Sequence, residues 1–357
     1  MRGAHAAGAL VLASILFFSA SHATAEGRQP PPVHPGRDVP FIESILDYSY
    51  PGGRDRDGRP VDTAAVAREI DRLAGRLRPL VEDRADPRRV VAALNRLLYE
   101  DEGFTYDPAP GDTDNYLPDR VLARRRGNCL GLTVLALAIG ERLGLPLRAA
   151  YLPSHCFLRY EDDGVRINIE TAEKGAEWDD ARYARAFGVT ADRPYLRSLG
   201  KREMIGVYLK SLGAACSRRG REEEALALYA CASHCAPELP DVPYNAGVSC
   251  QKMGKLDEAI AFYRRALALD PSLAPARDNL GVALAMQGRY AEALEQARKA
   301  VALDPAKLSS RVNLAATFCA CGMTADGIRE FEEILAVDPG NARALKGLAQ
   351  ARRPAGR

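Results

Sequence analysis

Tryptophan occurs once in these 357 residues and histidine five times. The histidines show no paired-ligand spacing, which argues against a metal-dependent hydrolase; no metal site and no cofactor is expected. Net charge is nearly absent too. Against 49 basic residues stand 47 acidic ones, a formal balance of +2. A nucleic-acid partner would call for a basic excess, so none is expected. Long apolar runs are also missing. Residues 8–20 are apolar but too few to cross a bilayer, and no later run approaches spanning length. Cysteine is absent before position 129, which argues against lipid anchoring near the start of the chain. The eight cysteines that follow have spacings unlike a disulfide framework.

What is present begins with a targeting pattern. Arg2 gives a weak basic start, residues 8–20 the apolar stretch, and Ala23-Thr24-Ala25 a cleavage site of small residues. Residues 1–25 therefore read as a signal peptide. The mature chain is expected in the periplasm or outside the cell, with no membrane span after signal removal. Residues 26–40, with Pro30, Pro31, Pro32 and Pro35, read as a Pro-rich linker. Helical periodicity follows. Val66, Ile70, Leu73, Leu77 and Leu80 form one stripe over residues 63–80, and Pro87 opens a second helix that buries Val90, Val91, Leu94, Leu97 and Leu98. A short helix is expected over 118–125. A longer apolar one starts at Cys129 and stops at Gly144-Leu145-Pro146. The period then changes to two. Strands are expected over 147–152, 156–160 and 165–169, the last two joined by a turn at Glu161-Asp162-Asp163-Gly164. Helices followed by an antiparallel sheet make an α+β domain. Trp178 reads as a half-buried packing residue, with stacking on a substrate as the alternative, and a short helix over 179–187 comes after it.

From residue 206 the chain repeats every 34 residues. Gly213, Gly247, Gly281 and Ala315 superpose, as do Ala225, Ala259, Ala293 and Gly327. Each copy has an inter-helix glycine, Gly220, Gly254, Gly288 and Gly322, and ends at a proline, Pro237, Pro271, Pro305 and Pro339. Four copies are expected over 206–341, namely 206–239, 240–273, 274–307 and 308–341, with a cap helix and tail over 342–357. Cys231, His234 and Cys235 share one helix face, but Cys235 sits where other copies have Leu269, Leu303 and Val337. Core packing is therefore the expectation, not metal. Such a solenoid is expected to bind a protein or peptide partner; nothing bears on oligomeric state.

The chemistry gathers around Cys129. Asn128 and the helix after it put the thiol at a helix start, where unpaired N–H groups favour thiolate. Arg124, Arg125 and Arg126 precede it and are expected either to add positive potential or to form a solvated turn. His155 lies at the edge of the next strand pair, within reach as a base. Glu170, at the end of the strand returning from the Asp163-Gly164 turn, is expected to orient the imidazole, with Asn168 on the same strand face as its competitor. Cysteine, base and acid together point to nucleophilic catalysis. The backbone N–H of Cys129 is the default oxyanion donor, and Asn115, Tyr116 or Asn128 the second.

The stretches Asp114-Asn-Tyr-Leu-Pro-Asp-Arg-Val-Leu-Ala-Arg-Arg-Arg-Gly-Asn-Cys129, Leu152-Pro-Ser-His-Cys-Phe-Leu-Arg159 and Asn168-Ile-Glu-Thr171 resemble bacterial transglutaminase-like proteins. The fragment from Gly254 to Pro271 is similar to the tetratricopeptide consensus, without that family's tryptophan (here Leu209, Pro243, Arg277 and Arg311). The resemblance implies an α+β transglutaminase-like domain with a papain-like core over 41–202, followed by an all-α tetratricopeptide repeat solenoid. It also implies a Cys-His-acid triad in which Cys129 matches the nucleophile, His155 the base and Glu170 the acid. Glutamate replaces the usual aspartate there. The function expected is thiol acyl transfer (amidase, peptidase or cross-linking) by an exported enzyme. The alternative is an inactive scaffold that mediates protein–protein contacts in the envelope.

Overall fold

The computed structural model describes residues 39–55, 57–109, 112–189 and 195–353. The expected signal peptide and nearly all of the expected Pro-rich linker lie outside them. Helix α1 (Phe41–Ser49) packs against the first of two further helices, both of which follow the expected apolar stripes and share its apolar cluster. The first, α2 (Thr63–Leu77), is capped by the Asp62 carboxylate, which accepts from the Ala65 N–H at 2.8 Å. A single 3₁₀ turn carries the chain on through Leu80. The second, α3 (Pro87–Asn95), starts with its proline in the first turn after the Asp86 cap and runs into a π turn at Arg96–Asp101. Next comes α4 (Pro118–Arg124), flanked by two short strands, β1 (Thr105–Tyr106) and β2 (Arg126–Gly127), that pair in parallel. The helix ends where Arg125 takes a left-handed φ of 50°.

Helix α5 (Cys129–Leu143) is the centre of the domain. It is buried on nearly every side, which explains its almost unbroken apolar sequence. Asn128 caps it, its side-chain oxygen accepting from the Gly131 N–H at 2.9 Å. Gly144, at φ 60°, closes its far end, a left-handed position that suits glycine. One side of α5 lies on β3 (Leu147–Leu152) and β4 (His155–Asp162), the other on α1, α2 and α4. β5 (Val165–Glu170) completes the middle of an antiparallel sheet ordered β6-β5-β4-β3-β7, with two-residue edge strands β6 (Ala176–Glu177) and β7 (Ser198–Leu199). The Asp163-Gly164 pair makes the β4–β5 turn with positive φ at both residues. Strand β4 therefore begins one residue earlier than its sequence pattern indicates, at His155 itself. Helix α6 (Asp180–Phe187) then covers the end of the sheet.

The repeats begin with α7 (Lys201–Arg218) and α8 (Glu222–Cys235). Three further pairs follow: α9 (Asp241–Lys252) with α10 (Leu256–Leu269), α11 (Ala274–Met286) with α12 (Tyr290–Leu303), and α13 (Leu308–Ala320) with α14 (Thr324–Val337). Helix α15 (Ala342–Ala351) lies on the last pair. Gly220, Gly254, Gly288 and Gly322 occupy the inter-helix turns at φ of 74° to 80°. The core does not break where the sheet domain passes into the repeats. One apolar cluster runs from Phe41 through Tyr208, Leu209 and Leu212 to Ala246, and the distal repeats have separate smaller clusters. Polar contacts tie the same seam. The Ser49 and Tyr208 hydroxyls meet at 2.7 Å, and Arg219 donates to Thr113 Oγ1 at 2.8 Å.

Candidate active site

The first turn of α5 and the ends of β4 and β5 converge. Cys129 is half-buried and unpaired with any other cysteine. His155 opens β4 with a side chain 10 % exposed, and Glu170 closes β5 at 2 %. Leu158–Ile169 is the register pair nearest this end of the two strands. Glu170 therefore lies diagonally from His155, on the same face of the sheet. Its longer side chain spans that diagonal, and Glu170 Oε2 meets His155 Nε2 at 2.8 Å.

The carboxylate is held by two further donors. The Ala172 N–H donates to Oε1 at 2.8 Å, and the Tyr183 hydroxyl to Oε2 at 2.9 Å. Phe187 stacks on the imidazole with ring centroids 4.7 Å apart. Thr171, next to Glu170, donates through Oγ1 to the Cys129 carbonyl at 3.1 Å, so the acid's strand also pins the thiol's helix.

Electrostatics follow from this geometry. Burial disfavours a charged imidazole, but hydrogen bonds to Cys129 and Glu170, with their negative charge, outweigh it. His155 is raised to about 9. With Nε2 committed to Glu170, Nδ1 is the nitrogen left for the thiol proton.

Asn168, the expected alternative for the orienting role, has its side chain engaged elsewhere. Its side chain accepts from Arg159 Nε at 2.7 Å and donates to the Trp178 carbonyl and to Asp180. Arg159 is fully buried, and its charge draws Asn168 and Asp180 into a separate polar cluster. Trp178 packs against Tyr183 and under the Arg182 guanidinium, as a half-buried residue does. The three arginines before Cys129 are matched by carboxylates. Arg124 pairs with Asp112, Arg125 with Glu69 and Glu102, and Arg126 with Asp107. They brace the turn and leave little free positive potential. Cys231 and Cys235 are buried core residues, and no group of three His, Cys, Asp or Glu side chains suited to a metal occurs among the described residues.

Cys129 and His155 open on a cavity of about 440 Å³. Asn128 and Tyr116, two of the expected oxyanion donors, line it, whereas Asn115 is buried and gives its carbonyl to the Asn128 N–H. The far wall was not legible in the sequence. It comes from the first two repeats: Lys210 and Arg218 of α7, and Asp241 and Asn245 of α9. Lys210 is 7 % exposed and donates to the Tyr151 hydroxyl at 2.9 Å, which in turn donates to Asp241 at 2.9 Å. Burial lowers the Lys210 ammonium from its ordinary value, and the Asp241 charge opposes that. Tyr183 and Phe187 were also missed, although their i, i+4 spacing puts both on one helix face.

Comparison with known proteins agrees with this layout. Residues 64–206 match the transglutaminase-like superfamily, and residues 240–306 match the tetratricopeptide repeat. The chain thus carries a transglutaminase-like domain followed by tetratricopeptide repeats. Among particular proteins, it is similar to UPF0162 proteins. One from Xylella fastidiosa is 34% identical over 84 residues, which are 22% of this chain and 28% of that protein. One from Vibrio cholerae is 31% identical over 173 residues, 46% of this chain and 62% of that protein. The chain thus matches little more than a quarter of the first relative's length and under two thirds of the second's. A solved tetratricopeptide protein, YrrB, described as having an unusual peptide-binding site, aligns at 21% identity and a TM-score of 0.37 over 41% of this chain and 75% of its own.

Proposed function

We propose that this chain is an exported thiol acyl-transfer enzyme whose repeats dock a protein or peptide partner. Cys129 is the nucleophile, His155 the base and then the acid, and Glu170 the residue that orients it. His155 Nδ1 accepts the thiol proton, and the sulfur attacks an amide carbonyl carbon. The tetrahedral oxyanion takes hydrogen bonds from the Cys129 N–H and from Asn128 or Tyr116. The C–N bond breaks, His155 protonates the departing amine, and a thioester remains. Water or a second amine then attacks the thioester with its proton passing to His155, and the thiol is restored.

The observation that carries this reading is the bond between His155 Nε2 and Glu170 Oε2 at 2.8 Å, beside a cavity that Cys129 also lines. Export rests on the targeting pattern of residues 1–25, and sequencing the N-terminus of the processed protein tests it. The enzyme reading is tested by alkylating Cys129 across pH in the wild type and in His155→Ala. The expected result is rapid alkylation of Cys129 at neutral pH that slows at least roughly tenfold in the variant. A rate and a pH profile that the loss of His155 leaves unchanged would sink the reading.

A further inference from the structure

The wall opposite Cys129 carries charge that the acyl-transfer chemistry does not use. Lys210 is nine-tenths buried and faces the cavity, and Arg218 sits at the exposed rim one face further along α7. Asp241, linked to Lys210 through the Tyr151 hydroxyl, is the one carboxylate lining the same space among the described residues. Two fixed cations thus face one fixed anion. The ionised thiol–imidazole pair adds no net charge, and the Glu170 carboxylate does not line the cavity and is engaged by His155, the Ala172 N–H and the Tyr183 hydroxyl. The Lys210 ammonium carries three protons, and its hydrogen bond to Tyr151 engages one. A buried cation on the wall of a cleft, with donors to spare, favours an anionic ligand, because screening by water is weaker there than on the open surface.

We propose that the first repeat helix completes the thiol site, with Lys210 and Arg218 forming a subsite for a carboxylate carried by the acyl donor near the amide that Cys129 attacks. This rests on the acyl-transfer reading and adds its substrate class: a peptide whose terminal or side-chain carboxylate lies beside the scissile bond. The cavity of about 440 Å³ is of a size that holds such a group together with the reacting carbonyl. The repeats then have two roles. Their distal helices are left for a partner, and their first two pairs select the substrate.

The test uses the full chain and a pair of probes of similar size, iodoacetate and iodoacetamide. Each alkylates the Cys129 thiolate with loss of iodide, and only the first is anionic. Rates are read at Cys129 by peptide mass spectrometry. The expected iodoacetate-to-iodoacetamide ratio exceeds that of free cysteine, and Lys210→Met lowers it roughly fivefold to tenfold. Arg218→Gln lowers it as well, by less. Because Arg218 is exposed, that variant decides the matter if Lys210→Met does not fold. A ratio no higher than free cysteine's, or one that both variants leave in place, would overturn the proposal. If Cys129 is reactive and His155-dependent yet indifferent to charge, this inference fails alone. If Cys129 is unreactive, the acyl-transfer reading fails first. A tripeptide with a free terminal carboxylate, and one amidated at its end but bearing a glutamate, then compete against alkylation. Whichever protects Cys129 names the source of the carboxylate, and protection by neither counts against the subsite.

Discussion

His155 carries the most information of any residue in the chain. Its pKa of about 9 reflects two anionic neighbours working against burial, and one of them, Glu170, is removable without touching the thiol. Replacing the carboxylate by its amide keeps the shape and removes the charge. The imidazolium is then less favoured, so His155 gives up its proton at lower pH. In an NMR titration of the His155 ring, Glu170→Gln is expected to move the midpoint down from about 9 by roughly one to two units. An unmoved midpoint would return the orienting role to Asn168. That choice was not legible in the sequence, because Asn168 and Glu170 are two apart on one strand and share a face. What separates them is Arg159, on the neighbouring strand. Its buried guanidinium takes Asn168 as a hydrogen-bond partner, and such a pairing has no signature along the chain. The pair His155 and Glu170 was legible for the opposite reason: a short turn at Asp163-Gly164 folds both residues to the same end of the sheet.

At the scale of elements, the helices and strands that periodicity marked between residues 63 and 187 have ends within a few residues of those expected, whereas α1 and the two-residue strands were not marked and the first repeat helix starts at Lys201 instead of residue 206. The strand from His155 to Asp162 outruns its apolar stretch because register continues through Glu161 with Arg166 and Asp162 with the exposed Val165, at the sheet's open end. The small residues of the repeats were also legible, but their individual roles were not. A Cβ at Gly247 would meet Tyr263 Cε1 at 2.6 Å, whereas at Gly281 the nearest atom is the Ala293 carbonyl oxygen at 3.4 Å, an ordinary contact. The difference lies in the facing helix, where Ala297 stands at the repeat position of Tyr263. Gly247→Ala is therefore expected to destabilise by about 1–3 kcal/mol through overpacking. Gly281→Ala is expected to be neutral or to stabilise by up to about 1 kcal/mol, since alanine favours helix. Urea denaturation of the two variants checks this. Equal losses would show that backbone separation, and not the facing side chain, sets the requirement for glycine.

On the whole molecule, the sequence marks a change of pattern between residues 202 and 206, and periodicity cannot say more than that. Whether two patterns share a core depends on contacts far apart in the chain, such as Lys210 with Tyr151 or Tyr208 with Ser49. Here they do share one, and the consequence is energetic. Helix α7 buries Met204, Val207, Tyr208, Leu209 and Leu212 in the shared cluster, between α8 on one side and the sheet domain with α1 on the other. At about 1.5–3 kcal/mol for each fully buried side chain, even half of that burial is about 4–8 kcal/mol. A domain's entire stability is about 5–15 kcal/mol. A fragment ending at residue 200 is therefore expected not to unfold cooperatively, although it contains Cys129, His155 and Glu170. A fragment ending at residue 307 keeps α7 to α12, the shared core, the second apolar cluster and every wall of the cavity. It is expected to melt cooperatively and to alkylate at Cys129 at the rate of the full chain, because the last helix pair and α15 rest on a cluster of their own. Calorimetry of the two fragments separates the possibilities. If the shorter one melts as a cooperative unit with Cys129 still reactive, the repeats are an independent appendage and the substrate wall assigned to α7 loses its basis.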